Sequence, residues 1–260
     1  MDIAAVILGV FEQAWFLIPL GILAALVKTA WFKGVVGEAS VNLSAKFLLN
    51  KNEYHLVKNV TLPTEDGDGT TQIDHIIVSK YGVFVVETKN MKGWIFGKPS
   101  QKMWTQKIYK NSHKFQNPLH QNYKHIKTLQ SCLSIEESKI FSLIVFVGDS
   151  SFKTEMPDNV TYGGGYARFI KSKKDALFSD DEVQSILFQV QEGRLKPSLK
   201  TSRNHIKHVK QIVNEKKNSP ICAKCGSDMV EREASNGNNK GKKFLGCSAF
   251  PKCRSIEPIT

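Results

Sequence analysis

Gln72 to Asn90, QIDHIIVSKYGVFVVETKN, sets three ionisable groups on two strands that can hardly avoid pairing. Ile73 to Val78 and Val83 to Val86 are short apolar, β-branched runs, and Ser79-Lys80-Tyr81-Gly82 between them has the chemistry of a turn, so the stretch reads as a β-hairpin. If Val78 pairs with Val83, Asp74 falls opposite Glu87, and Lys89 follows two residues on along the same face. Facing side chains lie roughly 5 Å apart, and like charges at that separation repel. Two such carboxylates call for a cation, and a hard divalent ion with oxygen ligands suits them better than a lysine alone. An ordinary ion pair of strand-end charges is the alternative that the geometry leaves open. Both faces of the hairpin are apolar, with Ile76, Val78, Val83 and Val85 on one and Ile73, Ile77, Phe84 and Val86 on the other. That pattern predicts a strand pair inside a covered sheet, with its charges at the sheet edge.

Asp after a strand, then Glu-x-Lys, here Ile73-Asp74 and Glu87-Thr88-Lys89, resembles the signature of the PD-(D/E)xK nuclease superfamily. The wider string is similar to the nuclease-related domain family, NERD. It comprises Gly37-Glu38, Gln72 to His75, Gly82 to Asn90, Trp104 and Asn117-Pro118-Leu119-His120-Gln121, over roughly residues 34–150. Ile73 stands where the superfamily motif has Pro, a departure that many members share. The resemblance implies an α/β fold with a restriction-endonuclease-like mixed sheet flanked by helices. It further implies catalytic Asp74, Glu87 and Lys89, a supporting Glu38, a site-lining Gln121, and Mg²⁺ or Mn²⁺ held by Asp74 and Glu87.

Charge is unevenly placed along the 260 residues. Residues 194–260 carry 15 Lys/Arg against 5 Asp/Glu, which leaves +2 of the net +12 on the first 193. A basic tail of this kind points to a polyanionic partner, nucleic acid first and an anionic membrane surface second. From Thr88 to Ile135 there is no acidic residue, while nine lysines, Lys92 among them, alternate with Trp94, Phe96, Trp104 and Tyr109. Lysines beside an acidic site suit a phosphodiester substrate, and aromatics can stack on unpaired bases. Trp94 and Trp104 read first as core or hairpin packing.

Residues 3–27 are mostly apolar, interrupted by Glu12-Gln13 and Pro19. Ala14 to Val27 covers about 21 Å as a helix, short of a full span, and the apolar residues before Glu12 complete it. No basic residue precedes the run, which disfavours a cleaved signal peptide. The expectation is a single transmembrane anchor in the cytoplasmic membrane, and Lys28, Lys33 and Lys46 after it place the remainder on the cytoplasmic side.

The remaining elements follow local rules. A helix is predicted over residues 34–50, where Glu38 in a first turn would also suit the helix dipole. A half-buried strand is predicted over 54–62, with Tyr54, Leu56, Val60 and Leu62 on one face, followed by the acidic loop 65–69. Asn117-Pro118 opens a helix that carries Leu119, Tyr123, Ile126 and Leu133 on one side and Gln121 and His125 on another. Ile140 to Val147 reads as a central strand, and Ser179 to Gly193 as a helix with a capping box.

Domains are expected at 34–193, with a basic linker over 194–219 and a small module over 220–260. Cys222-x2-Cys225 and Cys247-x5-Cys253, 21 residues apart, can close a tetrahedral zinc site, and so short a segment lacks a core of its own. Cys132 is left as a buried free thiol. The cysteine spacings with Phe244-Leu245-Gly246-Cys247 and Phe250-Pro251-Lys252-Cys253-Arg254 resemble the zinc ribbon of bacterial type I topoisomerases. That resemblance implies DNA binding, single-stranded in particular, with Lys240, Lys242, Lys243, Phe244 and Arg254 as contacts. Together these readings predict a membrane-anchored, Mg²⁺-dependent nuclease, the alternative being a catalytically inactive DNA-binding module tethered to the membrane.

Overall fold

The structure is a computed structural model that describes residues 17–64, 69–133, 135–195, 201, 206–207, 222, 225, 227–234 and 241–258. The chain forms two compact units, Met1–Pro197 and Ser198–Thr260. Residues 3–16 of the expected anchor, the acids of the 65–69 loop, most of the basic linker and Lys240 lie outside the described residues.

In the first unit, β1 (His55–Pro63), β2 (Thr70–Ser79) and β3 (Gly82–Asn90) form an antiparallel meander. Strands β7 (Ile140–Val147) and β9 (Val160–Tyr162) extend it in parallel, in the order β1-β2-β3-β7-β9. The central place of β7 matches its continuous apolar run. Two helices cover one face: α3 (Pro118–Leu133) and α5 (Asp180–Gly193) pack Ile126, Leu129, Val183, Ile186 and Val190 on Ile76, Val78, Val83 and Val85. Cys132 is half-buried against this cluster. On the other face, α2 (Ala30–Leu48) and α4 (Gly165–Ser172) bring Val41, Ala45, Tyr166 and Ile170 onto Ile77, Phe84, Val86 and Leu143. The result is a mixed sheet between two helical layers.

The predicted hairpin register holds, with Val78 on Val83 and a tip of Lys80 and Tyr81 closed by the Ser79–Gly82 pair. At Asp74, however, β2 leaves both neighbours. On the β1 side, Lys58–His75 and Val60–Ile73 pair while Asn59 and Asp74 between them do not, and Asn59 turns to φ 49°. On the β3 side, the ladder stops at His75–Val86, and the Thr88 N–H donates to the Asp74 carboxylate at 2.8 Å. Strand alternation is lost there. Ile73 therefore joins Ile76 and Val78 in the α3/α5 core instead of sharing the face of Ile77 and Phe84. The predicted common face of Tyr54, Leu56, Val60 and Leu62 divides for the same reason: Val60 and Leu62 enter that core, while Tyr54 and Leu56 pack toward α2.

Helix α2 also begins earlier than expected. Thr29 caps it, accepting from the Phe32 N–H at 3.2 Å, so Glu38 lies two turns inside and gains nothing from the first-turn dipole. Ahead of it, α1 (Leu17–Lys28) has no buried residue. Among the described residues no single helix is long and apolar enough to cross a membrane; α1 and α2 pass that test only together, across a 68° bend.

A second sheet, unforeseen in the sequence, runs β6-β5-β4-β8. It is built from β4 (Gly93–Phe96), β5 (Met103–Ile108), β6 (Asn111–Gln116) and β8 (Ser150–Phe152), and it continues from the ends of β3 and β7, since β4 and β8 pair in parallel. Trp104 is fully buried there, stacked on Phe146 with its indole N–H on the Lys98 carbonyl at 3.0 Å.

Because Asn tolerates left-handed backbone far better than a β-branched residue, Asn59→Gly should leave stability nearly unchanged. Asn59→Val should cost about 1–2 kcal/mol in urea denaturation followed by tryptophan fluorescence. A neutral Val would show that Asn59 does not hold the break in the ladder.

Candidate active site and cysteine centre

The strand ends that separate at Asp74 open a polar site between β2, β3, α2 and α3. Glu87 is 3% exposed. Its Oε1 accepts from the Lys89 ammonium at 2.6 Å, and its Oε2 lies 3.2 Å from His125 Nε2. Lys89 donates a second bond to Gln121 Oε1 at 2.9 Å. His125 Nδ1 meets the Thr71 hydroxyl at 2.7 Å, so the ring is fixed at both nitrogens. The network thus runs from Thr71 through His125, Glu87 and Lys89 to Gln121.

Two helices are pinned onto the site by polar bonds. Asn117 caps α3 through the Leu119 N–H at 3.0 Å, while its amide donates to the carbonyls of Pro99 and Gln101. Asn122, fully buried, donates to the Val85 carbonyl at 2.8 Å and to Ser142 Oγ at 2.9 Å, which sets the rotation of α3 that aims Gln121 at Lys89 and His125 at Glu87. On the opposite side Gly37 permits close approach: a Cβ there would lie 3.0 Å from that of Asn90 and 3.2 Å from Val147. The Asn90 amide reaches back to the Lys33 carbonyl at 2.7 Å, so Glu38 is carried to the site edge.

The three carboxyls titrate apart. Burial would raise Glu87, but the Lys89 ammonium and His125 outweigh it and hold the group below its usual range. Asp74 is pushed up to about 8 by burial and by the charge of Glu87, against the pull of the Thr88 N–H. Glu38 is raised by the same two causes. Burial, aided by Lys58, lowers His75 to about 4, so that ring is uncharged near neutrality. Asp74, Glu87, Lys89, Glu38 and Gln121 therefore come together as one constellation. His125 and Thr71 join it. Sequence reading placed His125 on the helical side of Gln121 without a role; its spacing of four residues from a site-lining position was the available signal.

In the second unit, β10 (Met229–Glu233), β11 (Lys243–Cys247) and β12 (Ile256–Pro258) form a small antiparallel sheet. The sulfurs of Cys222, Cys225, Cys247 and Cys253 all lie within 4.8 Å of one another. Cys225 and Cys247 are 3.3 Å apart, and Cys222 and Cys253 are 3.8 Å apart. Tetrahedral Zn–S bonds of ≈ 2.3 Å require sulfurs roughly 3.8 Å apart, so the set fits zinc. A groove of about 440 Å³ beside it is lined by Arg232, Phe244, Phe250, Arg254 and Ile256, with the Arg232 guanidinium 5.6 Å over the Phe250 ring. Lys242 is exposed, whereas Lys243 is engaged by Glu231 at 2.7 Å. Arg232 was not singled out in the sequence, and it stands across the small sheet from Phe244, which was; Phe250, quoted there only within the motif, meets Arg232 through its ring.

Asp74 gives the first unit a measurable pH dependence. The folded state keeps a proton on Asp74 up to about pH 8, whereas its ordinary value is 3.8, so the metal-free fold loses stability as pH rises between those values. Asp74→Asn should raise the thermal midpoint at pH 8 by at least about 2 °C and give no gain near pH 4. Equal shifts at both pH values would show that Asp74 is not electrostatically strained.

Comparison with known proteins agrees with this geometry. The nuclease-related domain (NERD) family matches residues 33–147, and the topoisomerase DNA-binding C4 zinc finger matches residues 220–260. An uncharacterised protein of Bacillus anthracis is 37% identical over 203 residues, covering 76% of this chain and 92% of that protein. No solved structure matches. The carboxylate–lysine hairpin inside the first match, the four-cysteine centre inside the second, and this relative together assign the chain: it belongs to the nuclease-related domain family and carries a C-terminal topoisomerase-type zinc ribbon.

Proposed function

We propose that this protein is a membrane-anchored, Mg²⁺-dependent nuclease that hydrolyses phosphodiester bonds in DNA. The observation that carries the reading is the gathering of Asp74 and Glu38 beside the ionised Glu87 in a buried site, where burial first and the Glu87 charge second lift Asp74 to about 8. Such a set of hard oxygens lacks positive charge, and Lys89 alone does not restore it. Asp74 and Glu87 would hold Mg²⁺ or Mn²⁺, with Glu38 supporting. When bound, the ion supplies charge neutralisation at the scissile phosphate and a more acidic water.

The chain's own groups do the rest. Lys89, steered by Glu87 and Gln121, keeps an ammonium beside the reacting phosphate. Because Gln121 spends its carbonyl on Lys89, its amide N–H groups remain as donors for a phosphate oxygen. His125 fixes the second oxygen of Glu87 and so its orientation. The basic stretch Thr88 to Ile135 and the ribbon groove supply affinity, and the DNA-binding description of the ribbon's family supports DNA as the partner. Anchoring is supported by the apolar run of residues 3–27, with the lysines after it favouring a cytoplasmic position for both units.

Asp74→Ala and Glu87→Ala in the full chain should each lower Mg²⁺-dependent cleavage by on the order of 10²-fold or more, with DNA binding retained. Lys89→Ala should lose cleavage and weaken binding modestly. An Asp74→Ala chain that cuts at the wild-type rate removes the assigned site, and a wild type that binds every DNA form yet cuts none with Mg²⁺ or Mn²⁺ makes the protein a binding module. For the anchor, protease added to intact spheroplasts should spare the ribbon; digestion from outside reverses the orientation.

A further inference from the structure

Trp94, read from the sequence as core or hairpin packing, does not enter the core: it pairs with Lys107 in the β4–β5 ladder and is 48% exposed, at the edge of an open groove of about 520 Å³. Lys92, Lys107, Tyr109, Asp149, Ser150 and Ser151 also line that groove. Tyr109, 94% exposed, stands at the tip of the β5–β6 hairpin, where its backbone takes φ 51°. Two ammonium groups hover at the indole, Lys153 Nζ at 5.1 Å from the ring centroid and Lys107 Nζ at 5.9 Å. Asp149 is the only acid lining the groove among the described residues.

We infer that this groove is a platform for unpaired nucleotides of the substrate strand, with Trp94 stacking on a base and Lys107, Lys153 and Lys92 taking phosphates. The inference rests on the nuclease reading above and names how that site would hold its strand. Magnitudes favour exchange on binding. An exposed cation–π contact is worth about 0.5–1 kcal/mol, whereas base–aromatic stacking is worth about 1–3 kcal/mol per base. A base can therefore displace a lysine head from the indole face, and the displaced ammonium finds a phosphate beside it. Position fits as well. β4 and β8 prolong the course of β3 and β7, and the five steps from Glu87 to Lys92, the first residue lining the groove, reach at most about 18 Å, so the groove starts within a few nucleotides of the carboxylates. A merely basic face would suit any polyanion. Paired with an exposed indole and phenol ring, it suits a strand whose bases are free to stack.

The test uses the full chain without added Mg²⁺, so that binding is read apart from cleavage, and single-stranded oligodeoxynucleotides carrying 5-iodouracil. Ultraviolet cross-linking and peptide mapping should give adducts at Trp94 or Tyr109 in addition to those on the ribbon. Trp94→Ala should lose the β4 adduct and keep the ribbon's, and Trp94→Phe should restore adduct formation in part. Lys107→Ala with Lys153→Ala should reduce the slope of log affinity against log salt by about 1.4. Adducts confined to the ribbon with an unchanged salt slope would overturn the platform, as would protection of Trp94 by anionic vesicles in place of oligonucleotides. A chain that gives the adducts and never cleaves overturns only the hydrolytic reading; one that cleaves without them overturns only the platform.

Discussion

Burial of the Glu87 charge is the constraint around which the first unit is arranged. A carboxylate at 3% exposure is tolerable only if its oxygens are paired, and each of its two oxygens meets a donor, Lys89 on one and His125 on the other. Lys89 arrives along the same strand, but His125 requires α3 to sit at one rotation and one height on the sheet. Asn122 and Asn117 fix both by donating amide hydrogens to backbone carbonyls. Apolar contacts alone would let the helix slide by small amounts at low cost, whereas a buried amide has to meet its partner within hydrogen-bond reach.

The same charge organises the electrostatics. Glu87 is held ionised by its partners, and burial together with its charge raises Asp74 and Glu38, so one acidic cluster contains a stable anion and two strained carboxyls. Groups driven apart in this way are characteristic of sites that bind metal or move protons. Strain extends to the backbone. β2 gives up its ladder on both sides at Asp74, with Asn59 in the left-handed region and the Thr88 N–H turned to a side chain. A continuous ladder would leave Asp74 as one more pleated strand residue, with no carboxylate at an opened edge.

The two units are stabilised by different means. The first has clusters of fully buried aliphatic and aromatic residues on both faces of its sheet, whereas among the described residues the cluster in the second consists mainly of its cysteines with Met229. Four sulfurs gathered within 4.8 Å of one another in that cluster have the arrangement by which small metal-stabilised domains hold their fold.

By itself the sequence determined the elements whose signals are local. The β2–β3 register followed from a short turn between two β-branched runs, the α5 capping box from Ser179 and Glu182, the α3 cap from Asn117-Pro118, and the four-sulfur centre from cysteine spacing. The motif string also carried the family. Only the tertiary structure decided the break at Asp74, because it needs Asn59 of a neighbouring strand to leave the ladder opposite it. The same holds for the role of His125, which pairs with residues 38 and 54 positions away in the chain. The second sheet was equally illegible: its short strands lack a clean alternation, and β4 is held by pairing to β8, far along the chain. Trp94 and Trp104 show the limit most plainly. Both are tryptophans in short strands of one sheet, and only the neighbours each one meets put Trp104 inside the core and leave Trp94 at an open groove.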